Sequence, residues 1–425
     1  MEHAFLSRIN AHLDDIEAYP DTMLAFRAHL STQDAMLQIK HQVLDNKTRG
    51  TRAILGLDLK KAFDNAAHAA ILRKMATLNL GNRAYNYVKD FLTNGSISLT
   101  LGKLASEDSS MGSVGAPQGS VISPMLFNLV MIGLLERLNA IEGVHHAIYA
   151  DDITIWVCEG SDGEIEQRLQ TAVEVVEQYL VGTGLVCSPE KSELLLYRPT
   201  LKGRPPKCYI RHAEHEYICV RTKEGHEIPR VKQITMLGLI IESNGANGAT
   251  IRNLETKITN TMRLIRRITN RHRGMKETSV VRLIHSFVIS RITYVAVYHN
   301  WYTAEKAKLN TLIRRTHKMA LGLPDSPSTE LLLQLGIHNT LEDLIEAQQI
   351  SELERLTRTR TGRSILDKLE ISYHKQHGDE TSLPSSIREK LQVASLPNNM
   401  HPGLNQGRRA RRNASEHLQA TQDDG

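Results

Sequence analysis

The chain has 425 residues, with 52 Lys and Arg against 47 Asp and Glu, a net charge of +5 and an isoelectric point near 8.9; its length suffices for two or three ordinary cores, and the slight basic excess permits a polyanionic partner without requiring one. An apolar fraction of 41% with frequent Gly and Pro excludes a fibrous or wholly disordered chain, and the longest apolar run, Leu129–Leu135, is too short to span a bilayer. Four cysteines (Cys158, Cys187, Cys208, Cys219) and no charged-then-apolar leader at Met1 predict a reducing, intracellular setting rather than secretion.

Ser31 and Thr32 can cap a first helix that carries Ala35, Met36, Ile39, Val43 and Leu44 and ends near Lys47. A β-rich run, Ala53–Leu59, then leads into a helix over Ala69–Leu78. A helix over Arg83–Leu92 stops at Asn94-Gly95, and Ser96–Leu101 alternates as a strand does. Pro124–Ile141 is apolar nearly all round, which predicts a core helix beneath the active site, with Pro in its first turn. Ala147–Val157 predicts two strands flanking Asp151-Asp152, a hairpin with carboxylates at its tip. A helix over Glu164–Leu180, a strand over Leu194–Tyr197 and short strands over Cys208–Ile241, divided by Gly225 and Pro229, follow. After Asn247 the pattern is helical: Ile251–Thr269, Glu277–Ser290, Glu305–Leu321 and Leu341–Leu356. From Lys375 a polar tail with Pro384, Pro397 and Pro402 predicts loose order. No internal repeat is present.

Asp58 near a strand end and Asp151 at a hairpin tip offer two carboxylates from separate strands. That is the ligand type a hard divalent cation requires when it bridges an attacking oxygen, an α-phosphate and a leaving pyrophosphate. Asp152 is their neighbour; an adjacent Asp pair alone describes a solvated turn equally well.

Context narrows the choice. LDLKKAFD (Leu57–Asp64), GAPQGSVISPMLFN (Gly115–Asn128), YADD (Tyr149–Asp152), GLVCSPEKSELLLY (Gly184–Tyr197) and MLGLIIE (Met236–Glu242) resemble, in order and spacing, the palm motifs and primer grip of reverse transcriptases. AFD followed by His68, the PEKS lysine motif and ALGLPDSPSTELL (Ala320–Leu332) resemble non-LTR, LINE-like elements, within them the Jockey or CR1 branches of arthropod or tick transposons. The resemblance implies Asp58, Asp151 and the carbonyl of Leu59 as metal ligands, with Asp152 in support, Mg²⁺ as the ion and Mn²⁺ as a substitute. It implies that Phe63 closes on the sugar and rejects a 2′ hydroxyl, and that Gln118 and Gly119 shape the nucleotide pocket. It further implies that Lys191 protonates pyrophosphate, that Arg27 in FRAHLSTQD (Phe26–Asp34) lies near triphosphate and template, and that Leu237 and Gly238 belong to the primer grip. Asp64 and His68 are expected to cap or orient the following helix. The spacing of Cys208, His212, His215 and Cys219 matches no zinc knuckle, so no zinc is expected.

The fold expected is an α+β right-hand polymerase with an antiparallel-sheet palm. Partial fingers would occupy residues 1–55, the palm 56–245 with inserted fingers near 80–115 and the primer grip near 236–242, a helical thumb 246–325, and a helical extension with polar tail 326–425. An RPISL-like first fingers segment is not in this sequence, which leads to the expectation of an N-terminally truncated element and of a catalytically impaired, nucleic-acid-binding relic as the alternative function. Endonuclease and RNase H activity are not expected of this chain, so a separate endonuclease would act with it. The expected partners are an RNA template, including the element's own RNA, a DNA primer or target and dNTPs, with no membrane. Arg252, Lys257, Arg263, Arg266, Arg267, Arg271 and Arg273 suit a thumb that grips a duplex backbone, and RRARR (Arg408–Arg412) suits either a nuclear signal or a charged tail.

Overall fold

The computed structural model describes residues 1–48, 50–93, 95–98, 100–107, 109–110, 112–199, 218–269, 275–323, 338–375 and 381–382. Two compact units are present, Met1–Leu237 with Ile241–Gly245, and Gly238–Ile240 with Ala246–Gly425.

In the first unit, α1 (Glu2–Asp15) and α2 (Thr32–Ile39) precede the sheet, α2 entering through a Ser31/Asp34 capping box and continuing as a π-helical turn over Lys40–Leu44. Strand β1 (Arg52–Leu57), buried throughout except at Gly56, is the middle of a five-stranded sheet. This strand crosses residue 55, where the sequence-based division separates fingers from palm. Helices α3 (Ala62–Asn65), α4 (His68–Thr77) and α5 (Asn82–Thr93) follow. The strand expected over Ser96–Leu101 is instead two short ones, β2 (Ser96–Ile97) and β3 (Thr100–Leu101). β3 turns back on β4 (Leu104–Ala105) around Gly102 at φ 62°, while β2 pairs with β5 (Ser109–Ser110). A tight turn at a glycine therefore overrides the alternation.

Helix α6 (Ser123–Asn139) has Pro in its first turn and twelve buried residues, the core helix expected. β6 (His145–Tyr149) and β7 (Asp152–Val157) form the expected hairpin, and α7 (Asp162–Leu180) is capped by Ser161 and Glu164. β8 (Glu193–Tyr197) and β9 (Arg230–Val231) complete the sheet in the order β6-β7-β1-β8-β9. It is antiparallel except at one edge: β8 and β9 run parallel, Leu194 opposite Arg230, which corrects the expectation of a wholly antiparallel sheet. β9 follows a long excursion after β8, so no tight turn dictates its direction.

One sheet face, carrying Ala53, Leu55, Leu57, Ile153, Ile155, Leu194 and Leu196, joins α4, α6 and α7 in a continuous apolar core. The opposite face carries Ile54, Gly56, Thr154, Trp156 and Glu193. β10 (Gln233–Met236) and β11 (Leu239–Glu242) form a hairpin, and the division between the two units falls within it.

In the second unit, α8 (Gly248–Ile268) buries Ile251, Leu254, Ile258, Met262 and Ile265 at three- and four-residue spacing. α9 (Glu277–Ile284) passes through a π-helical turn, His285–Ile289, into α10 (Ser290–Ala296), so this stretch runs beyond the expected end at Ser290. Ser279–Ala296 is long and apolar enough by composition to cross a membrane, and its Ile284, Val288, Ile289 and Ile292 are buried among neighbouring helices. α11 (Thr303–Leu321), α12 (Leu341–Thr357) and α13 (Arg360–Lys368) follow. The sequence pattern missed α13, a short polar helix in which Gly362 lies so close to α12 that a Cβ would sit 2.2 Å from the Leu356 carbonyl oxygen. Within the expected loose tail, β12 (His374–Lys375) pairs with β13 (Thr381–Ser382). Cys208, His212, His215, Arg271, Arg273, RRARR, Pro384, Pro397 and Pro402 lie outside the described residues, as does most of ALGLPDSPSTELL.

Candidate active site

Strand register builds the site. Gly56 is opposite Thr154 on β7 and opposite Glu193 on β8, so these three side-chain positions form one row on the face away from the helical core. At the same end of the sheet come Asp58, two residues after Gly56, Asp152, two before Thr154, and Lys191, two before Glu193, and all three line one groove. Asp151 is in the intervening β6–β7 turn, directly before Asp152, and Ala150 ahead of it has φ 57°. A non-glycine residue in that conformation is unusual, and such strain gathers where a turn is fixed for function. Asp152 thus begins β7, while the hairpin tip expected to hold both carboxylates consists of Ala150 and Asp151.

The backbone of Asp58 is fixed on both sides: its N–H donates to Ser192 Oγ at 3.2 Å, and its carbonyl accepts from Ser188 N–H at 2.8 Å. Ser192 Oγ donates in turn to the Ser188 carbonyl at 2.8 Å. Ser188 and Ser192, both buried, are positioning residues the sequence reading passed over, although both lie in the SPEKS motif. Lys191 Nζ is 3.6 Å from Asp58 Oδ2, an ion pair longer than a hydrogen bond, so this buried oxygen has no hydrogen-bond partner. Burial, and then the charges of Asp151 and Asp58, raise the Asp152 carboxyl above the ordinary range.

A groove of about 390 Å³ opens beside this row, lined by Asp58, Asp152, Thr154, Lys191, Glu193 and the β10 strand. β10 packs over Gly56, where an added Cβ would meet Ile234 at 3.5 Å, an ordinary van der Waals contact. At the end of β10, Leu237 and Gly238 both have positive φ, 49° and 94°, the signature of a type I′ hairpin turn.

The remaining expected residues surround α3 and the loop before α6. Phe63 is half-buried, stacked on Phe127 of α6 with ring centroids 4.7 Å apart. Its carbonyl accepts from Ala116 N–H at 2.8 Å, and Gly115 N–H donates to the Ala66 carbonyl at 2.8 Å. Gln118 Nε2 donates to Asp64 Oδ1 at 3.1 Å, and Gly119 has φ 98°, a conformation natural to glycine. Asp64 and His68 therefore do not cap α4, whose N-cap is Ala67; His68 Nε2 instead bonds the Gly115 carbonyl at 2.7 Å, pinning the same loop. Gly184, another residue the sequence reading did not single out, abuts Asn65 from the far side, where a Cβ would stand 2.2 Å from the backbone oxygen. Leu59 is buried in bridge pairing with Cys187. Arg27 is committed to the Pro20 and Met23 carbonyls, Asp14 and the Tyr19 ring. It braces the segment ahead of α2, and the structure does not bring it to the carboxylate row.

Two or three carboxylates, one with a buried oxygen lacking a hydrogen bond, fit a hard divalent cation. Among the described residues no three His, Cys, Asp or Glu side chains form a closed cage. A bound ion would therefore draw further oxygens from water, backbone and substrate phosphate, as Mg²⁺ does in phosphoryl-transfer sites.

Carboxylates at the end of a mostly antiparallel sheet, set over a buried helix, are the arrangement of a palm-type nucleic-acid polymerase. Residues 1–241 match the family described as reverse transcriptase (RNA-dependent DNA polymerase), and the chain belongs to that family. The Pol polyprotein of the R2 retrotransposable element of Nasonia vitripennis is 27% identical over 279 residues, 64% of this chain and 25% of that protein. A probable RNA-directed DNA polymerase from transposon BS of Drosophila melanogaster is 23% identical over 84% of this chain and 38% of the relative. The chain thus spans a quarter to two fifths of the length of these relatives, and its likeness to them is that of a LINE-like reverse transcriptase. Apo telomerase of Candida tropicalis superposes with a TM-score of 0.42 at 11% identity, over 87% of this chain and 61% of that one. Reverse transcriptases use divalent metal ions.

Proposed function

We propose that the chain extends a DNA 3′ end with deoxynucleoside triphosphates on an RNA template, as the polymerase of a LINE-like retrotransposon acting in the nucleus or cytoplasm. The observation that carries this is the register row of Asp58 and Asp152, with Asp151 in the adjoining turn and a buried Asp58 oxygen lacking a hydrogen bond.

Asp58 and Asp151, with the Leu59 carbonyl, would hold Mg²⁺, and Asp152 would add negative charge beside them. When bound, the ion stabilises charge on the attacking and leaving oxygens. Phe63, backed by Phe127, stands where a ribose 2′ hydroxyl would collide with it. The loop pinned by His68, Asp64 and Phe63 gives Gln118 and Gly119 a fixed outline for the nucleotide. Lys191 has its ammonium within reach of the same row and is suited to hand a proton to departing pyrophosphate. The Leu237–Gly238 turn is the primer grip, and the exposed basic residues of α8 contact duplex phosphates. RNA, including the element's own, a DNA primer and a separate endonuclease are the partners this chemistry calls for.

Asp151 is in a surface turn, so Asp151→Asn should leave the fold intact while reducing primer extension by roughly a thousandfold or more. Primer extension on an RNA template with Mg²⁺ and dNTPs, parent beside variant, is the test. Equal rates would remove Asp151 from the chemistry; no extension by a folded, duplex-binding parent would favour the nucleic-acid-binding relic.

A further inference from the structure

Phe26 combines two features unusual for its residue type. It is a large apolar side chain left 46% exposed, and its backbone has φ 58°. An aromatic residue rarely adopts the left-handed region, and strain of this kind persists only where the surroundings enforce it. The surroundings do so here. Leu24 N–H donates to the Ile148 carbonyl at 3.1 Å, the buried Asn128 donates to the Ala25 carbonyl at 2.9 Å, and Arg27 is anchored to Pro20 and Met23. Anchors on both sides push one ring outward, and that ring meets Phe63 edge-on, centroids 6.3 Å apart at 84°.

Phe127, Phe63 and Phe26 form an aromatic series running from core to surface, with Phe63 in the middle. Phe127 supports one side of Phe63, and the Ala116 bond holds its backbone. Among the described residues no other aromatic ring than Phe26 and Phe127 meets Phe63, so without Phe26 that ring could tilt away from an approaching sugar.

We propose that Phe26 is a positioning residue for sugar discrimination: by contacting Phe63 edge-on, it holds that ring where a 2′ hydroxyl is rejected. This rests on Phe63 acting as the sugar-excluding ring. An edge-to-face contact of this kind is worth roughly a two- to tenfold effect, so Phe26→Ala should lower the preference for dATP over ATP by about that factor.

The test is equilibrium binding of dATP and of ATP to the full chain with a primer-template, for the parent, Phe63→Ala, Phe26→Ala and Phe26→Tyr. The expected pattern is loss of discrimination in Phe63→Ala, partial loss in Phe26→Ala at unchanged melting temperature, and recovery in Phe26→Tyr, which keeps the ring. Discrimination at the parent level in Phe26→Ala, with Phe63→Ala relaxed, overturns the role of Phe26 alone. A parent that does not prefer dATP, or a Phe63→Ala protein that still does, overturns the role of Phe63 and this inference together. Should Phe26→Ala fail to fold, Phe26→Leu replaces it, and parent-level discrimination there counts against the inference.

Discussion

Asp58 holds its position less by its own side chain than by its neighbours. Ser192 and Ser188 fix its backbone from β8's approach, and Lys191 supplies the nearest cation at 3.6 Å. Gly184 begins the same motif and packs against Asn65 at the end of α3, so one stretch of chain braces both Asp58 and the helix that carries Phe63. A methyl group at Gly184 would meet the Asn65 carbonyl oxygen at 2.2 Å, in a backbone conformation of φ 83° that L side chains avoid. Gly184→Ala should therefore destabilise by at least about 2 kcal/mol, seen as a fall in melting temperature of roughly 4 to 8 °C for a unit of this size. An unchanged melting temperature would mean that the close approach relaxes freely. The residues that do this bracing are ordinary in type, and only Lys191 among them attracted attention in the sequence.

At the scale of elements, α11 illustrates a helix whose buried face is partly polar. His317 is 2% exposed, with its Nδ1 on the Ile313 carbonyl at 2.9 Å and its Nε2 buried without a hydrogen bond, between the rings of His285 and His338. Burial pushes its pKa down to about 4, and burial lowers that of His338 as well. In the unfolded chain His317 takes up a proton near 6.5, so between that pH and about 4 the unfolded state binds more protons than the folded one. The stability contributed by the neutral ring is thus complete above the unfolded value and is lost as pH falls through this window, on the order of 3 kcal/mol in all. Thermal melts between pH 7.5 and 4.5 should record that loss, and His317→Gln should flatten it; an equally steep fall in the variant would assign the effect elsewhere. The expectation of helices in this region came from apolar periodicity, whereas the histidine contacts join α11 to the π-helical turn and to the segment before α12, partners that periodicity does not specify.

For the whole molecule, charge is distributed unevenly. The first unit gathers Asp58, Asp151, Asp152 and Glu193 at one end of its sheet, while α8 in the second unit exposes Arg252, Lys257, Arg263, Arg266 and Arg267 opposite its buried stripe. If that face contacts phosphates, each contact removed should flatten the dependence of log affinity on log salt by about 0.9 for a duplex. Arg266→Gln with Arg267→Gln, followed by fluorescence anisotropy on an RNA–DNA hybrid across salt concentrations, measures this; an unaltered slope would make the face merely solvated. Net charge alone, at +5, could not have distinguished these two regions.

What the sequence determined by itself was the set of motifs and the kind of element carrying each. LDLKKAFD, YADD and the buried helix after GAPQGS are local patterns, and alternation, turn residues and apolar periodicity are properties of adjacent residues. Tertiary structure alone decided which of these came together. The alignment of Asp152, Asp58 and Lys191 depends on hydrogen-bond register among three strands separate in sequence, and a slip of one residue would turn every one of them to the other face. Likewise the commitment of Arg27 to structural contacts, the parallel edge strand β9 and the meeting of Phe26 with Phe63 arise from contacts between distant segments, whose energies no local pattern records.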